Sequence, residues 1–524
     1  MLVVTPLGKS VSPQTPTSIP SNAIRLPTEL LKKIIDALAA SMSQCPDLLR
    51  STMKKVALTS TQILPLARPH LFHTLELGGK HDPEGVRRTS LARLLVEQPY
   101  LQNSVNQIIY VLHKEETHLD IASDVAPLLH LPKVRTLSIS WAYRPRHEWH
   151  KSEDEAQPPD VTFGWRSLLH HYTASDSLKS LFMQHVSLLR GSFMPDILSS
   201  PTLVSVTFRD CFFCLDGSSQ EWLKFTKSRT FNVIEEVECT SKKHYAEIPL
   251  VFLASCPKLK KFKGEYMTHQ GRGVRDFPPA LGRPFLNLHR LELASPGSMY
   301  AWEIVSDDLS GICGGEAVFP VLKELVLGIT HIRQSIKPLF DLMPSLEYLK
   351  AYGAPRADFN FMECLQQFGH LNTMELLWPF PDIALSEDDE TTDPTLERAL
   401  SYLEDLQLTS VEHISLTIGI SKDWRYDKFQ DLDVYEALGR VMDNYRGIIG
   451  TSAFPSLKTL EITVVQKIAD KHWGDGFAYI EAAKAAWNEH LKAFVTDQDF
   501  SYFYHARVYP FDYATSSWDS PVQL

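Results

Sequence analysis

The chain is poor in several things that would assign it a chemistry. Its seven cysteines, an odd number, are scattered at positions 45, 211, 214, 239, 256, 313 and 364. That distribution points away from a disulfide framework and toward reduced, buried thiols of a cytosolic or nuclear protein. No apolar run reaches 18 residues, and Met1-Leu-Val-Val4 is too short for a secretory core, so a soluble, non-secreted protein without a membrane partner is expected. Dense lysine or arginine runs are missing and the net charge is −11, which gives nucleic-acid binding no support. Catalytic motifs are missing too. There is no Gly-x-Ser-x-Gly elbow and no His-Glu-x-x-His. Gly271-Arg-Gly-Val-Arg275 lacks the Lys-Ser/Thr ending of a phosphate loop. Cys211-x-x-Cys214 has the spacing of a zinc or redox pair, but no second pair stands at a matching distance. His147 and His150 read as surface residues, and His170-His171 have no ligand partner in view. The expectation is a non-enzyme with no cofactor and no metal.

What is present is repetition. In Pro201-Thr-Leu-Val-Ser-Val-Thr-Phe-Arg-Asp-Cys-Phe-Phe213, the anchors Leu203, Val206, Phe208, Cys211 and Phe213 follow Leu-x-x-Leu-x-Leu-x-x-Cys-x-Leu, the spacing of a leucine-rich repeat. The first three anchors recur twelve times, beginning at Val105, Val134, Leu178, Leu203, Ile234, Leu259, Leu288, Leu322, Leu346, Leu371, Val411 and Leu457. Successive first anchors lie between 24 and 46 residues apart. Gaps near 25 suit a strand plus one short helix, and the long ones require insertions. Six triads carry proline two residues ahead of the first anchor, at 132, 201, 257, 320, 344 and 455. Proline ends a helix and tolerates the start of a strand, so each marks a helix-to-strand change. The fold class read from this is α/β: a leucine-rich-repeat solenoid with a curved parallel sheet, helices on its convex side, and a small all-α module in front. Each repeat buries its apolar face only against neighbours. Cys211 falls in a core phase, and the triads at Val411 and Leu457 are expected to be the least regular.

Ahead of the repeats, Pro27 suits a first helical turn and Glu29 the positive end of the helix dipole. Leu30, Leu31, Ile34, Ile35 and Leu38 recur at helical spacing. A second helix is read over Met53–Leu64, ended by Pro65, and a third over Leu66–Leu71. This stretch resembles an F-box, a small helical module. The resemblance is carried by Leu26-Pro27-x-Glu29-Leu30, by Ile34, Ile35 and Leu38, by Val56-Ala-Leu-Thr-Ser60, and by Ala67-Arg-Pro-His-Leu-Phe72. An F-box followed at once by Leu-x-Leu repeats is similar to fungal F-box proteins with irregular leucine-rich tails. Ile63 stands where F-boxes usually place tryptophan, and 39–52 is longer than their usual first link. The resemblance implies a substrate-recognition subunit of a cullin-RING ubiquitin ligase of the SCF type. A Skp-family adaptor, and through it a cullin, would bind at Leu26, Pro27, Leu30, Ile34, Ile35, Leu38, Val56 and Leu58, while the repeats hold a target protein. The alternative is a non-catalytic interaction scaffold whose amino-terminal helices are only a cap.

The expected organisation is a disordered Ser/Thr/Pro-rich segment over 1–22, the helical module over 23–77, the irregular solenoid over 78–470, and a capping carboxy-terminal helix with an aromatic tail over 471–524. Phe72, Leu75 and Leu77 suggest an imperfect first strand. Helices are expected over 91–96, 118–131, 248–256, 336–343, 359–368 and 435–442. A proline-containing insertion over 141–160 and an acidic one over 381–394 read as surface loops. Phe477 to Phe494 reads as an amphipathic helix.

Overall fold

The computed structural model describes residues 26–42, 46–78, 86–112, 125–141, 164–186, 189–190, 194–211, 213–214, 232–241, 247–264, 266–268, 285–293, 317–328, 340–352, 365, 368–379, 408–421, 454–469 and 501–511. The chain divides into two compact units, Met1–Thr74 and Leu75–Leu524.

The first unit holds three helices: α1 (Thr28–Ser41), α2 (Pro46–Thr59) and α3 (Leu64–Leu71). Pro27 is the residue before α1, and Glu29 lies in its first turn. Ile35, Ala39, Met53, Ala57 and Ala67 are buried at the centre, ringed by Leu38, Met42, Leu49, Val56, Ile63, Leu64, Leu66 and Leu71. Three small side chains among five let the helices approach closely. Ile63, in the place of the usual tryptophan, packs against this core. The supposedly long link over 39–52 is mostly helix, because α1 runs on to Ser41 and α2 opens at Pro46, seven residues ahead of its expected start at Met53. His70 Nε2 lies 2.9 Å from Asp36 Oδ1 and ties α3 to α1.

Among the described residues, the second unit holds two small two-stranded sheets and is built on one open sheet of fourteen strands whose spatial order is the order of the sequence. They are β1 (Thr74–Gly78), β2 (Gln107–Leu112), β3 (Thr136–Trp141), β4 (Ser180–Gln184), β5 (Ser205–Arg209), β6 (Glu236–Thr240) and β7 (Lys261–Gly264). Then come β8 (Arg290–Leu293), β9 (Glu324–Gly328), β10 (Tyr348–Tyr352), β11 (Thr373–Pro379), β12 (His413–Ser421), β13 (Thr459–Ala469) and β14 (Ser501–Phe511). All pairings from β2 through β14 are parallel. Parallel strands in sequence order, each adding beside the last, are the topology of a solenoid. All twelve triads are strands of this one sheet, and β1 is the imperfect strand expected at Leu75 and Leu77.

Register never slips. Second anchors pair with second anchors, as in Val206 with Val237 and Leu291 with Leu325. A one-residue shift would turn every anchor to the opposite face, so burial holds the register. Leu203, Leu322 and Leu346 are fully buried. The helix between α3 and β2, α4 (Val86–Glu97), extends the one expected over 91–96. Two further helices, α5 (Gly164–Thr173) and α6 (Met194–Leu198), bring Leu168, Leu169, Tyr172, Ile197 and Leu198 into the core. Over 248–256 the chain is a short strand, Glu247–Pro249, and then α7 (Leu250–Ala254), whose Phe252 meets anchor Phe208 edge-on at 5.7 Å. Within 118–131 the described part is a tight 3-10 turn, Ala126–His130. Gly264 occupies a third-anchor position without a side chain, and the Phe262 ring lies where a Cβ would stand. At the end of β1, Gly78 has φ +78°, and a Cβ there would collide with the Val111 carbonyl.

Two expectations are corrected. The triads at Val411 and Leu457 belong to long strands, nine and eleven residues, because β-branched and apolar residues continue the alternation in Ile414-x-Leu416-x-Ile418-x-Ile420 and Leu460-x-Ile462-x-Val464. Part of the aromatic tail, Ser501–Phe511, is itself a strand, in register with β13 over eleven residues. The segment 1–22, the insertions over 142–160 and 381–394, and the helices expected over 435–442 and 477–494 lie outside the described residues, as do the first half of the one over 336–343 and most of the one over 359–368.

Candidate interaction surfaces

In the helical unit the sequence places apolar side chains on two sides of α1. Leu26, just ahead of the helix, is 48% exposed, Leu30 47% and Ile34 55%. Pro27 is exposed beside them. Consecutive residues turn about 100°, so a stripe at spacing four drifts about 40° per step and reaches the buried side by Leu38. Ile35, grouped with the stripe in the sequence reading, is 4% exposed and turned into the bundle, and Leu38 and Val56 pack against the same core. These three hold the module together. Leu58, on α2, is 87% exposed. Leu26, Pro27, Leu30 and Ile34 thus form one apolar stripe, and the module's core is complete without them.

In the sheet unit the anchors take one face, so the alternate positions form the other. Across β6 to β11 that outward face, together with the row just ahead of the strands, is a ladder of ion pairs. Lys260 meets Glu235 at 2.8 Å, Lys261 meets Glu236 at 2.9 Å, and Lys323 meets Glu347 at 2.8 Å. Lys263 stands between Glu238, 4.0 Å away, and Glu292, 3.3 Å away. Arg290 joins Glu324 at 2.9 Å and lies 3.6 Å from Glu292. Lys350 closes on Glu375 at 2.9 Å. The ladder resumes at Lys458 and Glu412, 2.7 Å apart, where the lysine's hydrogen bond draws the carboxyl pKa down. Burial, and then the bond to Glu375, push the Tyr348 hydroxyl pKa up.

Across β2 to β5 the same face changes character. Its middle row runs Ile109, Ser138, Phe182, Thr207 in register. Arg209 is the one charged residue among the outward positions of these four strands, and its guanidinium stacks over Phe182, 5.5 Å from the ring centre. Its neighbours in register are Gln184 and Thr240.

The candidate chemical residues are structural where they are described. Cys211 is buried, its thiol donates to the Met183 carbonyl at 3.3 Å, and burial pushes its pKa up to about 12. Both His170 and His171 lie on α5. His170 is 3.3 Å from Asp196, and the pKa of His171 is lowered by burial and by His130 and His170. Sequence reasoning passed over His185, Asp210 and Ser241, which follow three neighbouring strands at one repeat position. Ser241 Oγ donates to Asp210 Oδ1 at 2.5 Å, and His185 Nδ1 lies 3.7 Å from Oδ2. The carboxylate sits between hydroxyl and imidazole, a bracket across repeats, whereas a nucleophile pair needs the hydroxyl on the imidazole. His185 and Asp210 have φ of 54° and 51°, and from that bend their N–H groups extend the ladder to Arg209 O and Thr240 O. Also unread in the sequence was the residue just before the first anchor. Thr202, Asn287, Ser345 and Ser410 each donate to a carbonyl of the preceding repeat at 2.7–2.8 Å. A polar residue directly after the marker proline, as at Thr202 and Ser345, is the signal that was there to find.

No family model matches the chain, and no curated protein matches it. Among solved structures it is similar to one described as the crystal structure of the Rad7 and Elc1 complex in yeast, at 13% identity and a TM-score of 0.25, over 84% of this chain and 94% of that one. Among the described residues no group of three or more histidine, cysteine, aspartate or glutamate side chains is placed to hold a metal ion. No helix among them is long and apolar enough to cross a membrane.

Proposed function

We propose that the amino-terminal helices are an F-box-like module that binds a Skp-family adaptor, and that the repeat sheet presents a target protein to a cullin-RING ubiquitin ligase. The chain then acts by positioning, with no covalent step of its own. The observation that supports this best is the stripe of Leu26, Pro27, Leu30 and Ile34, left exposed by a module whose core closes without it. These are residues on which the resemblance to an F-box rests, and an apolar stripe of this kind gains from being covered. Leu58 and Leu48, also exposed on α2, lie outside the stripe.

The test is pull-down and titration with the Skp-family adaptor of the same organism. The half-exposed Leu26 and Leu30 each have roughly 1–1.5 kcal/mol of burial left to gain. The double variant Leu26→Ala, Leu30→Ala should therefore bind on the order of a hundredfold more weakly. Its far-ultraviolet circular dichroism should be unchanged, since neither residue belongs to the core. An unmodified chain that fails to bind the adaptor at micromolar concentration overturns the reading and leaves the interaction scaffold, with these helices as a cap.

A further inference from the structure

The outward face of the sheet is divided by charge, and the division points to where a partner sits. From β6 to β11 the charged side chains already neutralise one another, pair by pair. A partner covering that half must strip water from ion pairs that gain nothing new, and buried pairs seldom recover that cost. From β2 to β5 the strand positions carry hydroxyls, amides and apolar side chains, which a peptide backbone satisfies at little desolvation cost, while the row just ahead of the strands holds two exposed cations, Arg135 and Lys179, that favour an occupant with carboxylates. Among the strand positions stands Arg209, which has no carboxylate within ion-pair distance among the described residues. Its guanidinium carbon lies over the Phe182 ring, 5.5 Å from the centre, and a guanidinium fork can receive a carboxylate in two parallel bonds.

We propose that the outward face of β2–β5 docks an extended, weakly charged segment of a partner protein, with one carboxylate that meets Arg209 while apolar side chains cover Ile109 and Phe182. Four strands at about 4.8 Å span roughly 15 Å, the length of about five extended residues. The carboxylate selects the occupant. The chain's own residues 1–25 contain Lys9 and Arg25 and no aspartate or glutamate, so they do not complement Arg209.

The proposal is independent of adaptor binding and is tested without the adaptor. The intact chain is used to select from a displayed library of random peptides about twelve residues long, and the selected peptides are synthesised and titrated. Enriched peptides should carry an acidic residue, low net charge and an apolar neighbour. Arg209→Glu should weaken them at least about tenfold and Phe182→Ala several-fold, while Lys350→Ala should change them by less than about twofold. The thermal midpoint of each variant, matched to the parent, shows that folding is intact. Several outcomes overturn the proposal: no enrichment, enrichment of basic peptides, or binding that depends on Lys350 and ignores Arg209. A chain lacking residues 1–25 that binds the peptides more tightly makes its own segment the occupant. Self-association abolished by Arg209→Glu makes the occupant a second copy. Either result also overturns it.

Discussion

At the scale of single residues, the two best-placed thiols show how the repeat handles cysteine. Cys211 is the small inward residue after β5. Cys256, close behind α7, donates to the Phe252 carbonyl at 3.3 Å and accepts from Asn232 at 3.5 Å. Burial pushes both thiols from an ordinary 9.0 up to about 12. A group whose folded pKa is raised contributes stability that is present below its unfolded pKa and is lost as pH rises through the folded one. The window is therefore pH 9 to about 12. Urea midpoints should be level up to about pH 8.5 and then fall, by at most about 1.4 kcal/mol per pH unit for each thiol. Replacing both by alanine should make that limb shallower between pH 9 and 10, with the buried Tyr172 and half-buried Tyr348 hydroxyls still contributing above it. Peptide-resolved alkylation at pH 8 should leave both unlabelled in the native protein and label both in urea. Labelling of native Cys211 at the rate of a free thiol would contradict its place in the core.

At the scale of the element, each strand has one face set by burial and one set by charge. The burial face was legible. Anchors recur at fixed spacing, proline marks the entry, and twelve strands follow at Val105 through Leu457. Strand β14 was missed because Ser501–Phe511 lacks the proline-led triad and its aromatics read equally as packing. The outward ladder was legible in principle. Once anchors stack on anchors, Glu238, Lys263 and Glu292 must be neighbours, but the reading stopped at the apolar phase. In the helical module, the sequence grouped Leu26, Leu30, Ile34 and Ile35 as adaptor-binding, whereas the fold exposes the first three and buries Ile35. Motif residues come as a block, and the helical turn separates 34 from 35. The ladder makes a graded prediction. Lys350 and Glu375 are 39% and 33% exposed, so Lys350→Ala should cost under about 1 kcal/mol. Glu292 is 15% exposed and lies near both Lys263 and Arg290. Glu292→Ala takes one carboxylate from each of two cations, leaving Lys263 with Glu238 and Arg290 with Glu324, and should cost about 1–2 kcal/mol by urea denaturation, more than Lys350→Ala. Equal costs at the two positions would mean that the ladder's charges act only through solvent.

At the scale of the whole sheet, an open stack has two end strands, and a strand at a sheet edge is a template for pairing with another chain. The amino-terminal edge, β1, is only five residues long. The other edge, β14, is eleven residues long, but its sequence Ser-Tyr-Phe-Tyr-His-Ala-Arg-Val-Tyr-Pro-Phe holds Arg507 in the middle and Pro510 near the end. Proline offers no N–H to a further strand, and a charge at an edge discourages pairing. Beneath it, β13 reads Thr-Leu-Glu-Ile-Thr-Val-Val-Gln-Lys-Ile-Ala, free of proline and rich in β-branched residues. Strand β14 thus covers an edge well suited to unwanted pairing with an end less suited to it. A chain cut after residue 495 should lose the eleven-residue register with β13 and expose that edge. It should form concentration-dependent assemblies at micromolar levels, seen by light scattering, with an amide-I band characteristic of intermolecular strands. Placing Pro at Val464 in the cut chain should suppress the assembly, because it removes a donor from the centre of the exposed edge. If the cut chain stays monomeric and melts at the parent temperature, β14 contributes neither protection nor stability, and the edge is covered by something else.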